Sequence, residues 1–279
     1  MQKAIEEFIK KADRLPSMPA QVSNLLRTMD SPSASTIEVA TMIAADSTLS
    51  ARILRLANSA FYFRMAPVVR IGDAITRLGF KTTRSTVVTV WTQSLKALAR
   101  NWREAAMLAL LLNHGTACAV IAKAIFERCR RPQAEDVFVA ALLHDLGRIA
   151  LACQLGDSYT SDVLQIADRE RRYSCGVEEE LLGLDHAMLG AHLMEAWRLP
   201  ALFREAAQGH HNLPTNPSPE LAAVTLADIW ATDLGHNVAR SALRPPPDKL
   251  IALLAIPDPD ELKESCKGKI AAMFEVFEA

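Results

Sequence analysis

Glycine is scarce in this sequence, and so are the alternating, β-branched runs that are typical of strands. Only 11 of the 279 residues are glycine, whereas apolar residues recur at spacings of three and four along nearly every segment. This pattern predicts an all-α fold. The prediction includes the β-branched stretch from Ser85 to Leu95, because helical sequence continues on both sides of it.

Cysteine-pair motifs and an excess of charge of either sign are also missing. The five cysteines are scattered and include no Cys-x-x-Cys pair, which favours reduced thiols in a cytoplasmic protein over a disulfide framework. The 31 Lys and Arg residues nearly balance the 32 Asp and Glu residues. No global field therefore draws the chain to nucleic acid or to an anionic membrane, and we expect neither as a direct partner.

A hydrophobic run that could span a membrane is absent as well. The longest uncharged stretch, from Ala105 to Ala122, contains Asn113, His114 and Thr116, which predicts a buried core helix. The N-terminal stretch is charged and helix-periodic, without the apolar core of a signal peptide. These features predict a cytoplasmic location.

Helix start signals and prolines divide the chain into two predicted lobes, an N-terminal helical lobe at residues 1–100 and a second helical lobe at residues 101–279. Ser17, Ser35 and Asp46 are predicted to cap helices of the first lobe, with Glu38 completing a capping box at Ser35. In the second lobe, helices are predicted over Ala105–Arg128, Ala134–Cys153, Tyr159–Arg172, Gly176–Trp197, Ala201–His211 and Glu220–Leu234, and from Asp258 onward.

Histidine is confined to the second lobe and lies mostly within apolar helical sequence. His144 and Asp145 follow the apolar run VAALL, and His114 follows LALLLN. A buried imidazole needs hydrogen-bond partners, and a buried carboxylate needs a cation or donors. A divalent ion such as Fe, Mn or Zn meets both needs, because imidazoles and carboxylates are its usual ligands. A core pair held by a cap or a salt bridge is the alternative.

The segment LLHDLGR around His144 and Asp145 resembles the signature of the HD superfamily of metal-dependent phosphohydrolases. Three stretches of the first lobe are more specific: LPSMPAQVSNLL, IAADSTLSARILRLANSAFY and IGDAITRLGFKTTRSTVV resemble the opening of the HDOD family, the HD-related output domains. DHAMLGAHLMEAWRLP resembles a later HDOD segment. The resemblance covers Leu15 to Leu213 and implies an HDOD helical lobe packed on an HD-like helical domain.

The resemblance to HD enzymes also implies ligands for a divalent metal, Fe, Mn or similar, as a single ion or a dinuclear pair. Asp145 would bridge the two ions of a pair. The other ligands would form two groups, one of His114, His144 and Asp228 and the other of His186, His210 and His211. In an enzyme, His144, Asp145 and Arg148 would be the catalytic residues. His192, six residues after His186, is expected to face away from this site.

Three departures from the HD relatives bear on activity. HHNLPTNPSPE stands where the HD-GYP proteins, which hydrolyse cyclic dinucleotides, carry a Gly-Tyr-Pro segment. Leu110 stands where HD-GYP proteins with a third metal have glutamate, so no trinuclear site is expected. Arg148 stands where many HD enzymes have lysine. Arginine keeps the positive charge and binds phosphate bidentately, but it does not replace a point charge.

Two functions from different classes follow from the resemblance. The first is a signal-transduction and regulatory module that acts through contacts with a protein such as a sensor kinase or a response regulator. The second is a metal-dependent phosphohydrolase or phosphodiesterase with a nucleotide ligand. The missing Gly-Tyr-Pro segment favours the first function, and the full ligand set favours the second. Because the sequence shows no receiver, GGDEF or DNA-binding segment, input and output are expected to pass through a partner.

Overall fold

A computed structural model describes residues 2–59, 62, 66–238 and 246–278, and all regular secondary structure in these residues is helical, as predicted. A 3₁₀ turn covers Leu95–Leu98 and a π-helical turn covers Tyr159–Leu164. The α-helices in chain order are α1 (Gln2–Lys11), α2 (Ala20–Met29), α3 (Thr36–Ala44), α4 (Ser47–Ala57), α5 (Ile71–Ser94), α6 (Trp102–Arg128), α7 (Ala134–Leu143), α8 (Leu146–Leu155), α9 (Gln165–Glu170), α10 (Ser174–Leu182), α11 (His186–Ala196), α12 (Ala201–Gly209), α13 (Pro219–Asp233), α14 (Pro247–Leu254) and α15 (Pro259–Glu278).

The chain forms two compact units, which differ in extent from the two lobes drawn from the sequence. Residues 1–16 and 95–270 form one, called the histidine unit below, and residues 17–94 and 271–279 form the other, called the companion unit. Residues 1–16 belong to the histidine unit, where Arg14 donates a hydrogen bond to the carbonyl oxygen of Cys153 at 3.2 Å. The last two turns of α15 belong to the companion unit, where Arg52 donates to the carbonyl oxygen of Val276 at 2.7 Å.

The predicted caps hold at two of three positions in the companion unit. The hydroxyl of Ser35 accepts a hydrogen bond from the backbone N–H of Glu38, although the Glu38 side chain does not return a bond to Ser35 and the capping box is incomplete. The carboxylate of Asp46 accepts a hydrogen bond from the backbone N–H of Leu49. The prediction for Ser17 is wrong, because Pro19 occupies the N-cap position of α2. A residue before proline is disfavoured in helical conformation, so the helix starts only after Pro19.

The β-branched stretch from Ser85 to Leu95 lies in α5 and in the first residue of the 3₁₀ turn that follows it. It is therefore helical, as predicted. Within α5, Gly79 has a φ of 78°, which interrupts the helical backbone. Glycine adopts this left-handed region without the steric cost that a Cβ would add. The interruption leaves the β-branched second half of α5 as a separate helical segment.

Several predicted helices of the histidine unit prove to be two shorter ones. The predicted helix Ala134–Cys153 is broken between α7 and α8, at His144 and Asp145. The predicted helix Gly176–Trp197 ends at Gly183, whose φ of 72° terminates α10 before α11 begins at His186. The proline triplet predicts a loop, but helix α14 begins at the last of its prolines. That proline occupies the first turn of the helix, where its missing N–H costs nothing.

The long helix α6 runs through the core of the histidine unit. Its length and composition alone would allow it to cross a membrane, but most of that apolar stretch is buried inside the fold. The fully buried side chains include Ile121, Ile125 and Phe126. The stretch from Ala105 to Ala122 is thus part of a buried core helix, as the sequence predicts.

A close backbone contact at Gly147 fixes α8 against α11. A Cβ atom at Gly147 would lie 1.9 Å from the carbonyl oxygen of His186 and 2.8 Å from the backbone nitrogen of Gly190. No side chain fits between these backbones, so glycine is required for the approach. The contact places the first turn of α8, just after Asp145, beside the first turn of α11.

Candidate metal centre

All seven residues that the sequence suggests as ligands lie together inside the histidine unit. Six of them are buried, and His211 is half-buried. They come from α6 (His114), the α7–α8 junction (His144, Asp145), the start of α11 (His186), the end of α12 (His210, His211) and α13 (Asp228). They form two neighbouring groups, within each of which one donor atom per residue lies within 4.8 Å of the others: His114, His144 and Asp228 together with Cys118, and Asp145, His186, His210 and His211.

Asp145 lies between the two groups. Its Oδ1 atom is 3.3 Å from Nε2 of His186 and 3.4 Å from Nε2 of His210. Its Oδ2 atom is 3.7 Å from Nε2 of His144 and 3.9 Å from Nε2 of His114. One carboxylate oxygen therefore faces each group, which is the arrangement that a bridging ligand between two ions requires.

Hydrogen bonds fix the ring orientation of four histidines. In each, Nδ1 contacts an oxygen that only accepts, so Nδ1 carries a proton and Nε2 faces the cluster. The contacts are His114 to the carbonyl oxygen of His236 (2.6 Å), His144 to that of Ala141 (2.6 Å), His210 to that of Ala207 (2.8 Å) and His186 to the carboxylate of Glu178 (2.6 Å). Metal-binding histidines are characteristically held in this way.

Three atoms at the centre of the cluster are buried and make no hydrogen bond. They are Nε2 of His144, Nε2 of His210 and Oδ1 of Asp145. Burial lowers the pKa of His144 to about 4, against the opposing effect of Asp145, so this imidazole is neutral near pH 7. Buried polar atoms nearly always have partners, and two imidazole nitrogens facing a carboxylate oxygen suit a divalent cation. The residues therefore fit a metal.

Arg148 places a fixed positive charge beside Asp145. The Nε atom of Arg148 lies 3.0 Å from Oδ2 of Asp145, an ion pair without hydrogen-bond alignment, and Nη2 lies 3.3 Å from Nε2 of His211. Burial works to raise the pKa of Asp145, but Arg148 and His144 outweigh it and hold that pKa well below its usual range. Asp145 is therefore ionised and available as a ligand.

Two cysteines border the cluster, and sequence reasoning gave neither a role at the site. The sulfur of Cys118 lies 3.5 Å from Nε2 and 4.0 Å from Nδ1 of His114. The sulfur of Cys175 lies 3.7 Å and 3.8 Å from the two ring nitrogens of His186. A sulfur at similar distances from both nitrogens lies beside the ring and not along a nitrogen lone pair. These thiols thus pack against the imidazoles.

Glu178 is the residue at the site that sequence reasoning missed most completely. It is fully buried, whereas its neighbours Glu179 and Glu180 in the run VEEELL are exposed. Burial works to raise the pKa of Glu178, but His186 outweighs it and lowers the pKa to about 2. Its partner Tyr159 is also fully buried and donates a hydrogen bond to it. A buried tyrosine hydroxyl needs a hydrogen-bond partner. The need of Tyr159 for such a partner was the one feature of the sequence that could have pointed to Glu178.

Two cavities lie near the start of α11. His192 lines a cavity of about 280 Å³ together with Glu195 and Arg204. It does not face the histidine cluster, as predicted. A larger cavity of about 680 Å³ reaches His211 and is bordered by Asp185 and Glu205. Among the described residues that line this larger cavity there is no lysine or arginine. The exposed edge of the cluster is therefore reached through a space with acidic side chains.

The fold is similar to that of solved structures from several bacteria. An HDOD domain protein of unknown function from Geobacter sulfurreducens is 27% identical, with a TM-score of 0.81 over 99% of this chain and 97% of that one. A protein from Shewanella amazonensis SB2B provisionally named a phosphohydrolase is 23% identical, with a TM-score of 0.73 over 99% and 97%. A protein from Marinobacter aquaeolei VT8 provisionally named a signal transduction protein is 21% identical, with a TM-score of 0.72 over 100% and 66%.

The sequence comparisons identify the family. An uncharacterized protein from Treponema pallidum (strain Nichols) is 23% identical over 230 residues, which cover 78% of this chain and 42% of that protein. The chain thus spans less than half the length of this curated relative. The HDOD domain family matches residues 15–213, most of the chain. This protein therefore belongs to the HDOD family.

Proposed function

We propose that this chain is a cytoplasmic regulatory module of bacterial-type signal transduction, with a metal centre in its histidine unit and output through contacts with a signalling protein. The observation that carries the metal centre is the position of Asp145 between two histidine groups, with the buried Nε2 atoms of His144 and His210 lacking hydrogen bonds. Neutral imidazoles and carboxylates suit Fe, Mn or a similar divalent ion.

The seven predicted ligands would hold one ion or a pair of ions bridged by Asp145. When bound, such ions supply Lewis acidity and tie the surrounding helices together. The chain's own residues orient the ligands and set their charge. Backbone carbonyl oxygens orient the rings of His114, His144 and His210, and the guanidinium of Arg148 keeps Asp145 ionised.

The surroundings of the cluster favour a regulatory role over hydrolysis of a nucleotide. Polyphosphate substrates are usually bound by arginine or lysine, yet the cavity that reaches His211 is bordered by Asp185 and Glu205. The segment after His211 lacks the Gly-Tyr-Pro sequence of the cyclic-dinucleotide hydrolases. The provisional name of the Marinobacter aquaeolei protein points to signalling as well.

A metal-dependent phosphohydrolase is the second candidate, and Arg148 is the observation in its favour. Its Nη1 atom is buried beside the cluster and makes no hydrogen bond, so it is placed to bind a phosphate oxygen next to a metal. The provisional name of the Shewanella amazonensis protein agrees with this candidate.

Metal analysis joined to a hydrolysis screen tests both candidates. We expect protein purified without chelators to contain Fe, Mn or a similar ion in near-stoichiometric amount. Failure to contain or take up any transition metal would remove the metal centre. Turnover of cyclic dinucleotides or simple phosphodiesters in the ordinary enzyme range of about 1–10³ per second, eliminated by His144→Ala, would replace the regulatory module by the phosphohydrolase.

A further inference from the structure

Glu178 makes three hydrogen bonds in the interior of the histidine unit. Its Oε2 atom accepts from Nδ1 of His186 at 2.6 Å and from the backbone N–H of His186 at 2.8 Å. Its Oε1 atom accepts from the hydroxyl of Tyr159 at 2.7 Å. The side chains of all three residues are fully buried. Both oxygens of the carboxylate are therefore engaged, and its plane is fixed relative to the ring of His186.

His186 differs from the other oriented histidines in the chemistry of its partner. The Nδ1 atoms of His114, His144 and His210 contact neutral backbone carbonyls, whereas that of His186 contacts an ionised carboxylate. A carboxylate is the stronger acceptor, and it raises the donor strength of the opposite ring nitrogen. That nitrogen, Nε2, lies 3.3 Å from Oδ1 of Asp145 and 3.1 Å from Nε2 of His211.

Tyr159 supports the carboxylate from the other side. It lies in the π-helical turn Tyr159–Leu164, an irregular element that occurs frequently at functional sites. The turn places the tyrosine hydroxyl next to Oε1 of Glu178 inside the core. Because the Tyr159 hydroxyl donates to Oε1, the other oxygen, Oε2, accepts hydrogen bonds from His186 alone.

We propose that Glu178, held by Tyr159, is a positioning residue that orients His186 and strengthens its Nε2 atom as a metal donor. This inference rests on the proposed metal centre. Glu178 does not contact the ion in this scheme, since both of its oxygens are engaged elsewhere. The competing explanation is a buried ion pair that serves only the stability of the fold.

The test compares two substitutions of the same kind on adjacent residues of α10, Glu178→Gln and the exposed Glu179→Gln. The affinity for Mn²⁺ and Zn²⁺ is measured by competition with a chromophoric chelator, and the melting of the metal-free proteins is recorded in parallel. A glutamine has one acceptor oxygen for the three donors that Glu178 serves. We expect Glu178→Gln to lose about 10- to 100-fold in metal affinity, and Glu179→Gln to lose none.

A second readout does not depend on metal. Proton NMR of the metal-free protein should show a strongly downfield Nδ1–H resonance from the short His186–Glu178 hydrogen bond, present in the wild type and in Glu179→Gln and lost in Glu178→Gln. Tyr159→Phe keeps the ring and removes only the hydroxyl, so it serves where Glu178→Gln fails to fold. For Tyr159→Phe we expect a few-fold loss of affinity.

The outcomes separate the inference from the proposed function. Unchanged metal affinity in a folded Glu178→Gln variant would overturn the positioning role, and so would equal losses in both glutamine variants. Wild-type protein that binds neither ion would remove the proposed metal centre. In that case the resonance decides: its loss in Glu178→Gln alone supports the orientation of His186 by Glu178, and its persistence overturns it.

Discussion

Buried polar side chains are found in both units, but they are satisfied in different ways. In the companion unit they are hydroxyls of α5, and each donates to a carbonyl oxygen one turn earlier in the same helix; Thr86 to Thr82 and Thr89 to Ser85, both at 2.8 Å, are examples. In the histidine unit, His114 and His186 bond to groups outside their own helices, the carbonyl oxygen of His236 and the carboxylate of Glu178. Central atoms of His144, Asp145 and His210 make no hydrogen bond.

This difference separates buried polar side chains that are satisfied by the protein itself from those that need a ligand. A threonine that bonds to its own helix is complete without the rest of the fold. An imidazole whose Nδ1 is held from behind and whose Nε2 faces a carboxylate is incomplete, and burial makes an unmet hydrogen bond costly. The companion unit is therefore expected to be indifferent to metal, and the histidine unit to depend on it.

The largest expected effect comes from separating α8 and α11 in the histidine unit. Gly147→Ala would place a Cβ atom 1.9 Å from the carbonyl oxygen of His186. Two backbones cannot yield as a flexible side chain does, so we expect a loss of about 3 kcal/mol or more in the free energy of unfolding, measured by denaturant titration. The control is Gly268→Ala, since a Cβ at Gly268 in α15 meets nothing within 4 Å. A cost at Gly268 equal to that at Gly147 would contradict the role of the close contact.

Removal of the central carboxylate should abolish the metal response. With Asp145→Ala, both histidine groups lose the carboxylate that we propose as their shared ligand, and metal content should fall to background. At a free metal concentration of 100 times Kd, the wild type should gain about 2.7 kcal/mol of stability on metal addition, and the variant none, as judged by thermal melting with and without Mn²⁺. His192→Ala should behave as the wild type. Equal metal loss in the two variants would show that the ligand assignment is wrong.

In the companion unit, the largest effect should come from Asn58. Its side chain donates to the carbonyl oxygen of Val68 and accepts from the N–H of Val68, both at 2.8 Å. Asn58→Ala leaves two backbone groups without these partners, so we expect a loss of about 1–3 kcal/mol, measured by denaturant unfolding, and unchanged metal content. The exposed Asn24, which pairs with Arg27, provides the control Asn24→Ala with little effect. A fall in metal content in Asn58→Ala would break the contrast between the units.

The smallest effect is expected for a buried hydroxyl of α5. Thr89→Val removes a hydrogen bond to the carbonyl oxygen of Ser85, and that oxygen keeps the acceptor role it has within the helix. We expect stability to change by less than about 1 kcal/mol, and the stabilisation by Mn²⁺ to equal that of the wild type in the same melting experiment. A loss of several kcal/mol would show that the hydroxyl has a role beyond its own helix.

The sequence was sufficient for the helical class. Histidine and aspartate inside apolar helices are costly and therefore conspicuous at His144 and Asp145, whereas the resemblance to HD enzymes was needed to group them with His186, His210, His211 and Asp228, which the structure brings together. The sequence was not sufficient for the break at His144 and Asp145, since VAALLHDLGRIALA keeps helical spacing across it. The close contact of Gly147 with α11, just after the break, is a tertiary contact that no local pattern encodes. Glu178 was hidden for the opposite reason: in VEEELL it resembles a solvated face, and only the tertiary fold turns this one carboxylate inward.

The histidines and aspartates of the cluster are far apart along the chain, which determines when during folding they can meet. His114 and Asp228 lie at opposite ends of the sequence α6–α13, yet their side chains approach to 3.2 Å. Contacts of such high sequence separation form only after long loops have closed. Metal uptake during refolding should therefore follow the collapse of the histidine unit. The fraction of protein that contains metal would then measure the fraction of molecules in which that unit has folded completely.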